Sequence, residues 1–214
     1  RTADMSRRHT VRVSKSGMVT VTGGKLTTYR RMAEDTVDAV VRRLGSQAPA
    51  GADRCRTRRL ALRGAGGLDE VRAALESDAT GVDADARAAL VMRHGSEATD
   101  VLALAGGRTA LLEPLVAGMP QLKVEAVWAA RHEMALTVDD VLARRTRAVL
   151  RHARPSAEAA AGIGALLAPE WGRSPDMVAD EAAAFAAQAR RDLERAGLDP
   201  AARSEAPPRG DQSR

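Results

Sequence analysis

Apolar residues alternate with polar ones near the start of the chain, and this period of two does not recur after residue 68. The segments 9–13, HTVRV, and 18–22, MVTVT, alternate as β-strands do, and the SKSG between them has the composition of a turn. They predict a β-hairpin. From residue 68 the apolar residues recur at helical spacing with short breaks. The sequence therefore predicts an α+β chain, in which a hairpin and a helix precede an all-α domain.

The second strand runs directly into the first predicted helix, through residues 19–31, VTVTGGKLTTYRR. Thr27 and Thr28 are candidate N-caps for this helix, and Gly45 marks its end. Two adjacent glycines let the backbone come close to a ligand, and the free N–H groups of a first helical turn favour an anion or a partly negative oxygen. A phosphate or the pyrimidine edge of a flavin would fit there. A plain strand-to-helix turn with Lys25 in solvent fits equally well on spacing alone.

The P-loop is excluded by spacing, because that motif, ending at Lys25, would need Gly at position 19 and Ser or Thr at position 26. The chain has Val19 and Leu26 there.

Stretches rich in Gly, Pro and charged residues divide the chain into four segments. Residues 1–45 form the hairpin-and-helix segment, 46–67 a connector, 68–196 an all-α domain, and 197–214 a tail that we expect to be disordered because it has almost nothing to bury. The predicted helices of the all-α domain are 68–78, 84–93, 96–105, 109–117, 122–135, 137–152, 156–167 and 175–196.

The charge is unevenly distributed between these segments. The net charge of +5 is the sum of +10 over residues 1–64 and −5 over residues 65–214, so the first segment is suited to an anionic partner. Aromatic residues, at 2%, are too few for a base-stacking surface, so no nucleic-acid partner is expected. Cys55 is the only cysteine and the four histidines lack metal-ligand spacing, so we expect no metal site.

Three segments together resemble a known family. SRRHTV at 6–11 with GGKLTTYR at 23–30 resembles the strand, glycine turn and helix that end the FAD-binding domain of the flavin-dependent glycerol-3-phosphate dehydrogenases. Residues 124–147, VEAVWAARHEMALTVDDVLARRTR, resemble a helix pair of that family's C-terminal all-α domain, and residues 93–104, RHGSEATDVLAL, the helix before it. The resemblance covers the chain to about residue 190 and implies that it is the C-terminal portion of such an enzyme.

The resemblance implies oxidation of sn-glycerol 3-phosphate to dihydroxyacetone phosphate, with FAD as the cofactor and a quinone, or oxygen in the oxidase relatives, as the electron acceptor. The turn residues that match the flavin-contacting segment are Gly23, Gly24, Lys25, Leu26 and Thr27. Arg7 and Lys25 match cationic residues of the substrate pocket, a pair suited to a dianionic phosphate. Arg8 departs from the family pattern, in which an acidic residue often stands there.

The resemblance leaves other properties open. It assigns no catalytic base in this chain and implies that the chain carries one wall of an active site and is inactive alone, because the dinucleotide fingerprint lies upstream in the family. The expected location is cytoplasmic, with membrane association peripheral, at the inner face, and made by the upstream part. The oligomeric state is left open.

Two readings from other classes remain. One is a basic helical module that binds nucleic acid through RCRTRRLALR at 54–63 and RRTRAVLRHARP at 144–155. The other treats the helical region as an assembly domain without catalysis, which exposed apolar surface on the bundle would support. The carboxylates Glu133, Asp139 and Asp140 lie close in sequence to Arg144, Arg145 and Arg147. They are interpreted as helix-face ion pairs, in a helix capped by Thr137, rather than as an active site.

Overall fold

The computed structural model of the chain describes residues 8–77 and 80–198. The chain divides into two compact units, Arg1–Leu62 and Arg63–Arg214. The first contains a β-hairpin and a helix, and the second is built from helices, so the predicted α+β class is confirmed. The predicted disordered tail from residue 199 onwards lies outside the described residues.

The first unit begins with the predicted antiparallel hairpin. Strand β1 (His9–Val13) pairs with strand β2 (Val19–Gly23). The chain reverses in the turn between them, where Gly17, at a φ of 91°, donates its N–H to the Ser14 carbonyl. A two-stranded ribbon is marginally stable by itself. Helix α1 (Tyr29–Leu44) packs against both strands and stabilises it.

Helix α1 leaves much of its apolar surface in solvent. Toward the hairpin, His9 Nε2 donates a hydrogen bond of 2.9 Å to the Asp35 carboxylate, and Ala39 is the one buried apolar residue in the described part of this unit. Val37 and Leu44, on the same helix, are exposed. The first unit therefore has almost no hydrophobic core among its described residues.

The second unit is a helical bundle with a continuous core. Its helices are α2 (Leu68–Glu76), α3 (Ala84–His94), α4 (Ala98–Ala103), α5 (Lys123–His132), α6 (Ala148–Arg151), α7 (Ala153–Leu167) and α8 (Pro175–Arg195). Helix α5 is central, since Val124, Ala126 and Val127 are fully buried. Helices α7 and α8 pack closely because Gly164 has no side chain; a Cβ there would lie 3.0 Å from Val178 Cγ1.

The helix predicted at 109–117 is shorter than expected. Only a 3-10 turn, Thr109–Leu112, forms there. Beyond it the chain becomes extended, and Pro114 forms an isolated antiparallel bridge with Leu122. Proline cannot continue the helical hydrogen-bond pattern, and the bridge satisfies backbone groups that a helix would otherwise pair.

The helices predicted at 122–135 and 137–152 are also interrupted. Helix α5 ends at His132, and Met134 adopts a left-handed φ of 55°. This conformation lets the Ala135 N–H donate to the Ala129 carbonyl and so close the helix end.

A second break divides the segment predicted as a single helix at 137–152, so that prediction is wrong. A π turn spans Asp140–Arg145, and Arg147, at a left-handed φ of 54°, separates it from α6. Both the N–H and the hydroxyl of Thr146 donate to the Val141 carbonyl, which favours the wider turn over a regular helix.

Candidate functional site

The glycine turn, defined here as Gly23–Thr28, connects β2 to α1. Gly23 and Gly24 both have positive φ angles, 81° and 76°. A Cβ on Gly23 would lie 2.9 Å from the Arg8 carbonyl oxygen, and one on Gly24 would lie 2.4 Å from Met32 Sδ. The chain's own backbone conformation and close packing therefore require both glycines, whether or not a ligand is bound.

The backbone N–H groups of the turn differ in whether they have a hydrogen-bond acceptor. Gly24 donates to the Arg8 carbonyl at 3.1 Å, and Lys25 donates to Thr28 Oγ1 at 3.1 Å. The N–H groups of Leu26 and Thr27 have no hydrogen-bond acceptor among the described residues. Both lie at the start of the helical turn that leads into α1, where the helix dipole favours a negative oxygen. Only part of the predicted turn can therefore donate to a ligand.

Lys25 is exposed, and its ammonium group has no ion-pair partner in the part of the chain that the structure describes. Its predicted companion in the substrate pocket, Arg7, lies outside the described residues. The pairing of Lys25 with Arg7 therefore stays a prediction.

Two exposed side chains beside the turn have no role in the prediction from sequence. The sequence predicted only a backbone contact for Leu26, whose side chain is 86% exposed. Tyr29, three residues later, is 62% exposed. Helical spacing from Leu26 would have placed them on one face, next to the free N–H groups. Tyr29 also lines a cleft of about 600 Å³ in the first unit. Val37, Cys55 and Leu60 line the same cleft.

The ion pairs predicted from the spacing of residues 133–147 form for Asp139, Asp140 and Arg144. Arg144 binds both Asp139 and Asp140, and Thr137 Oγ1 accepts the Asp140 N–H at 3.0 Å. Burial alone would raise the pKa of Asp140, but hydrogen bonds from Leu136 and Thr137, together with the charge of Arg144, lower it below its ordinary value. The lowered pKa favours the ionised form of this carboxylate, which pairs with Arg144. The side chain of Glu133 is not part of the pairing; its carbonyl accepts from Arg145 Nε at 2.8 Å.

Neither a metal site nor a membrane-spanning helix is found among the described residues. They contain no group of His, Cys, Asp and Glu side chains arranged to hold a metal ion. None of their helices combines the length and apolar character needed to cross a membrane.

Residues 55–178, more than half of the chain, match the sequence family described as the C-terminal domain of alpha-glycerophosphate oxidase. The chain belongs to this family. The matched range includes DVLARRTR at 140–147, and together with the relatives described below it confirms the predicted resemblance.

The glycerophosphate oxidase family relationship extends to proteins named glycerol-3-phosphate dehydrogenase. Glycerol-3-phosphate dehydrogenase 2 of Mycobacterium bovis is 34% identical over 194 residues, covering 90% of this chain and 32% of the relative. Glycerol-3-phosphate dehydrogenase 1 of Mycobacterium tuberculosis is 44% identical over 147 residues, 69% of this chain and 26% of the relative. A probable mitochondrial glycerol-3-phosphate dehydrogenase of Dictyostelium discoideum is 33% identical over 146 residues, 68% of this chain and 22% of the relative.

The chain thus spans about a third or less of the length of the curated relatives it matches. The alignment that covers 90% of the chain extends beyond the family match into the hairpin unit.

Proposed function

We propose that the chain is the C-terminal part of a flavoenzyme that oxidises sn-glycerol 3-phosphate to dihydroxyacetone phosphate. In this proposal FAD accepts the hydride and a quinone then receives the electrons. The family membership and the names of the relatives support the substrate. The geometry of the glycine turn supports a flavin as the cofactor.

The free N–H groups of Leu26 and Thr27 are the observation that carries the proposal. Two adjacent donors at a helix start are suited to a carbonyl oxygen that gains negative charge, as the pyrimidine edge of a flavin does on reduction. Because Gly23 and Gly24 carry no side chains, these two residues place no Cβ beside the donors on the strand side. The exposed Leu26 side chain offers apolar contact to a planar ring.

The cationic residues of the first unit are assigned to the substrate. FAD, when bound, supplies the hydride acceptor, so this part of the chain needs only to bind and orient the substrate. The Lys25 ammonium is free to bind the substrate's phosphate dianion, and Arg7 would add a second cation. Holding the phosphate fixes the distance of the reacting carbon from the ring, which is a large part of catalysis by orientation.

The sparse core of the first unit supports its assignment as part of a larger domain. A hairpin and one helix, with a single buried apolar residue among residues 8–62, are too little to fold stably alone. We infer that the exposed side of α1 packs against the remaining part of the flavoprotein, which accounts for about two thirds of the length of the relatives.

A backbone substitution in the intact flavoprotein tests the proposal. Leu26→Pro removes one free N–H, and proline is tolerated there because Leu26 opens the helical turn and Lys25, before it, is extended at φ −141° and ψ 163°. The matched control, Leu26→Ala, removes the same side chain but keeps the N–H.

We expect Leu26→Pro to weaken FAD retention at least about tenfold relative to Leu26→Ala, because one hydrogen bond to a charged oxygen is lost. Flavin absorbance after gel filtration measures this directly, without reference to turnover. Equal retention of FAD by the two variants would show that the turn does not hold the flavin.

A further inference from the structure

Helix α7 has two interior glycines, and contacts within the described residues explain one of them. At Gly164 a Cβ would lie 3.0 Å from Val178 Cγ1, so the close approach of α8 requires glycine there. A Cβ on Gly162 would meet no atom of the described residues within 4 Å. Glycine inside a helix is destabilising relative to alanine. Gly162 therefore weakens α7 without making room for a neighbouring element of the described fold.

Gly162 lies in the wall of a cavity of about 420 Å³ in the second unit. The lining residues from α7 share one face of the helix: Glu158, Ala159, Gly162, Ile163 and Leu166. The volume is within the range of small-molecule sites, which is about 300–1,000 Å³. Because glycine places no side chain in this wall, it leaves the cavity wider than any other residue would. This position therefore favours cavity volume over helix stability.

The remaining lining residues come from the 3-10 turn at 109–112, the loop after it and the start of α5. Leu111 and Leu115, which belong to the buried core of the unit, provide apolar surface. Backbone hydrogen bonds fix the loop, since the Leu115 N–H donates to the Gln121 carbonyl at 2.6 Å and the Lys123 N–H to the Glu113 carbonyl at 2.9 Å. The cavity is thus formed in advance, and a ligand need not order its walls.

Two charged side chains are among the described residues that line the cavity, and they differ in their partners. Lys123 Nζ pairs with the Glu113 carboxylate at 2.5 Å, which compensates its charge. Glu158 is exposed and has no ion-pair or hydrogen-bond partner in the part of the chain that the structure describes. It stands one helical turn before Gly162. The uncompensated charge at the cavity is therefore negative, which favours a cationic ligand.

We propose that the cavity binds an apolar monocation, with its hydrocarbon part against Leu111 and Leu115 and its protonated amine on the Glu158 carboxylate. Burial of the hydrocarbon supplies most of the affinity. The ammonium group stays at the exposed edge, where it donates a charge-assisted hydrogen bond to Glu158 without losing all its contact with water. The proposal does not depend on the enzymatic activity proposed above, since the cavity lies within the helical unit.

Three probes that share a phenylethyl group and differ in charge test the ligand class on the full 214-residue chain. They are phenethylammonium, the neutral phenethyl alcohol and the anion hydrocinnamate. We expect the cation to bind about threefold to fivefold more tightly than the alcohol, as an exposed ion pair would give, and the anion to bind most weakly. Titration to about 20 mM, followed by backbone amide chemical shifts, covers the affinity expected of a ligand with about nine non-hydrogen atoms.

The chemical shifts also locate the site in the wild-type chain. The changes should be centred on residues 158–166 and on Leu111 and Leu115. A chain that binds none of the probes overturns the proposal, and so do changes centred elsewhere. Tighter binding of hydrocinnamate would show that Lys123 binds the ligand and that the assigned charge is wrong. Equal affinity for all three probes would contradict the cationic ligand class.

A cavity-filling variant separates ligand binding from folding. Gly162→Leu should weaken phenethylammonium binding at least about tenfold, because the new side chain takes the ligand's space, and should raise the Tm, because leucine favours the helix. The control, Ala161→Leu, adds the same side chain at the neighbouring exposed position, which does not line the cavity, and should leave binding unchanged. Gly162→Ala, a smaller change in the same direction, replaces Gly162→Leu if that variant does not fold. Wild-type affinity in the folded variant would overturn the location of the site.

The charge of Glu158 is tested separately from the shape of the cavity. Glu158→Gln should reduce the affinity for phenethylammonium to that for phenethyl alcohol, whose own binding should not change. The control, Glu70→Gln, removes an equal charge at an exposed position of α2 and should leave all three affinities at their wild-type values. If Glu158→Gln keeps the preference for the cation, the amine is not bound by Glu158 and the proposal fails.

Discussion

Glu125 Oε2 lies 2.8 Å from His94 Nε2, and this contact joins the start of α5 to the end of α3 in the interior of the second unit. Arg93 Nη2 binds the same oxygen at 2.7 Å, and Glu125 Oε1 accepts the Leu122 N–H at 2.8 Å. Glu125 is almost completely buried. Its carboxylate therefore satisfies three donors that have little access to water.

Removing this carboxylate should destabilise the helical unit strongly. We expect Glu125→Ala to lower the free energy of unfolding by about 3–5 kcal/mol, because Arg93 and His94 would be left without their acceptor. The control is Glu113→Ala, which breaks the exposed ion pair with Lys123 and should cost at most about 1 kcal/mol. Urea unfolding followed by circular dichroism compares the two. Similar small losses in both variants would show that the buried contact adds no more than a surface pair.

Two glycines at positive φ whose steric surroundings differ, Gly23 and Gly45, give a second prediction. Gly23→Ala should disrupt the hairpin, because a Cβ at positive φ would also press against the Arg8 carbonyl at 2.9 Å. Gly45→Ala also places alanine at positive φ, but no atom lies within 4 Å of its Cβ, so only the conformational cost of about 1–3 kcal/mol for a sparsely populated backbone region remains. Hydrogen exchange should show the hairpin amides losing protection in Gly23→Ala but not in Gly45→Ala. If the hairpin amides lost protection in Gly45→Ala but not in Gly23→Ala, the packing described for β1 and β2 would be contradicted.

Part of the stability that the folded chain loses at acidic pH should depend on Glu170. Arg131 donates two hydrogen bonds to its carboxylate, at 2.7 and 2.8 Å, and these lower the pKa of Glu170 below its ordinary value of 4.5, although burial acts in the opposite direction. A carboxyl group with a lowered pKa in the folded state stabilises the protein above its unfolded pKa, and this stabilisation is lost as the pH falls through the folded pKa.

Glu170→Gln should therefore destabilise the chain near neutral pH and lose less stability than the wild type on acidification below pH 4.5. Thermal unfolding between about pH 7 and pH 3 measures the difference. The control is Glu158→Gln, an exposed residue of α7, which should follow the wild-type curve. Parallel curves for wild type and Glu170→Gln would mean that the Arg131 contact does not affect stability.

The sequence predicted those parts of the fold that local patterns determine. The hairpin followed from alternation around SKSG, and the long helices α7 and α8 from apolar spacing, since both signals depend on near neighbours. The interruption at Met134 could not be predicted in this way, because methionine is not a usual residue for a left-handed helix end. The contacts that hold the loop come from distant residues: Trp171 Nε1 donates to the Ala135 carbonyl, 36 positions earlier.

At the candidate site, too, the sequence predicted the features that local patterns determine and missed those that depend on three-dimensional geometry. The glycine pair and the helix start predicted where a ligand oxygen could be received. The sequence did not reveal that Thr28 Oγ1 takes the Lys25 N–H, which leaves Leu26 and Thr27 as the free donors, because that depends on the exact geometry of the turn. The contact between His94 and Glu125 was likewise not predicted, because 31 residues separate the two side chains.

The role of Lys25 can be tested in the intact flavoprotein by Lys25→Ala. We expect the KM for glycerol 3-phosphate to rise at least about tenfold, because a charge-assisted hydrogen bond to the phosphate contributes about 1.5–3 kcal/mol. FAD retention should change little, because the donors assigned to the flavin are the backbone N–H groups of Leu26 and Thr27.

Lys15→Ala is the matched control, since Lys15 is an exposed lysine in the hairpin turn of the same unit and should leave both measurements unchanged. If Lys25→Ala leaves the KM at its wild-type value, Lys25 is a solvated side chain and the phosphate is bound elsewhere. If FAD is lost instead, Lys25 acts on the cofactor, and the division of roles between its side chain and the neighbouring backbone is wrong.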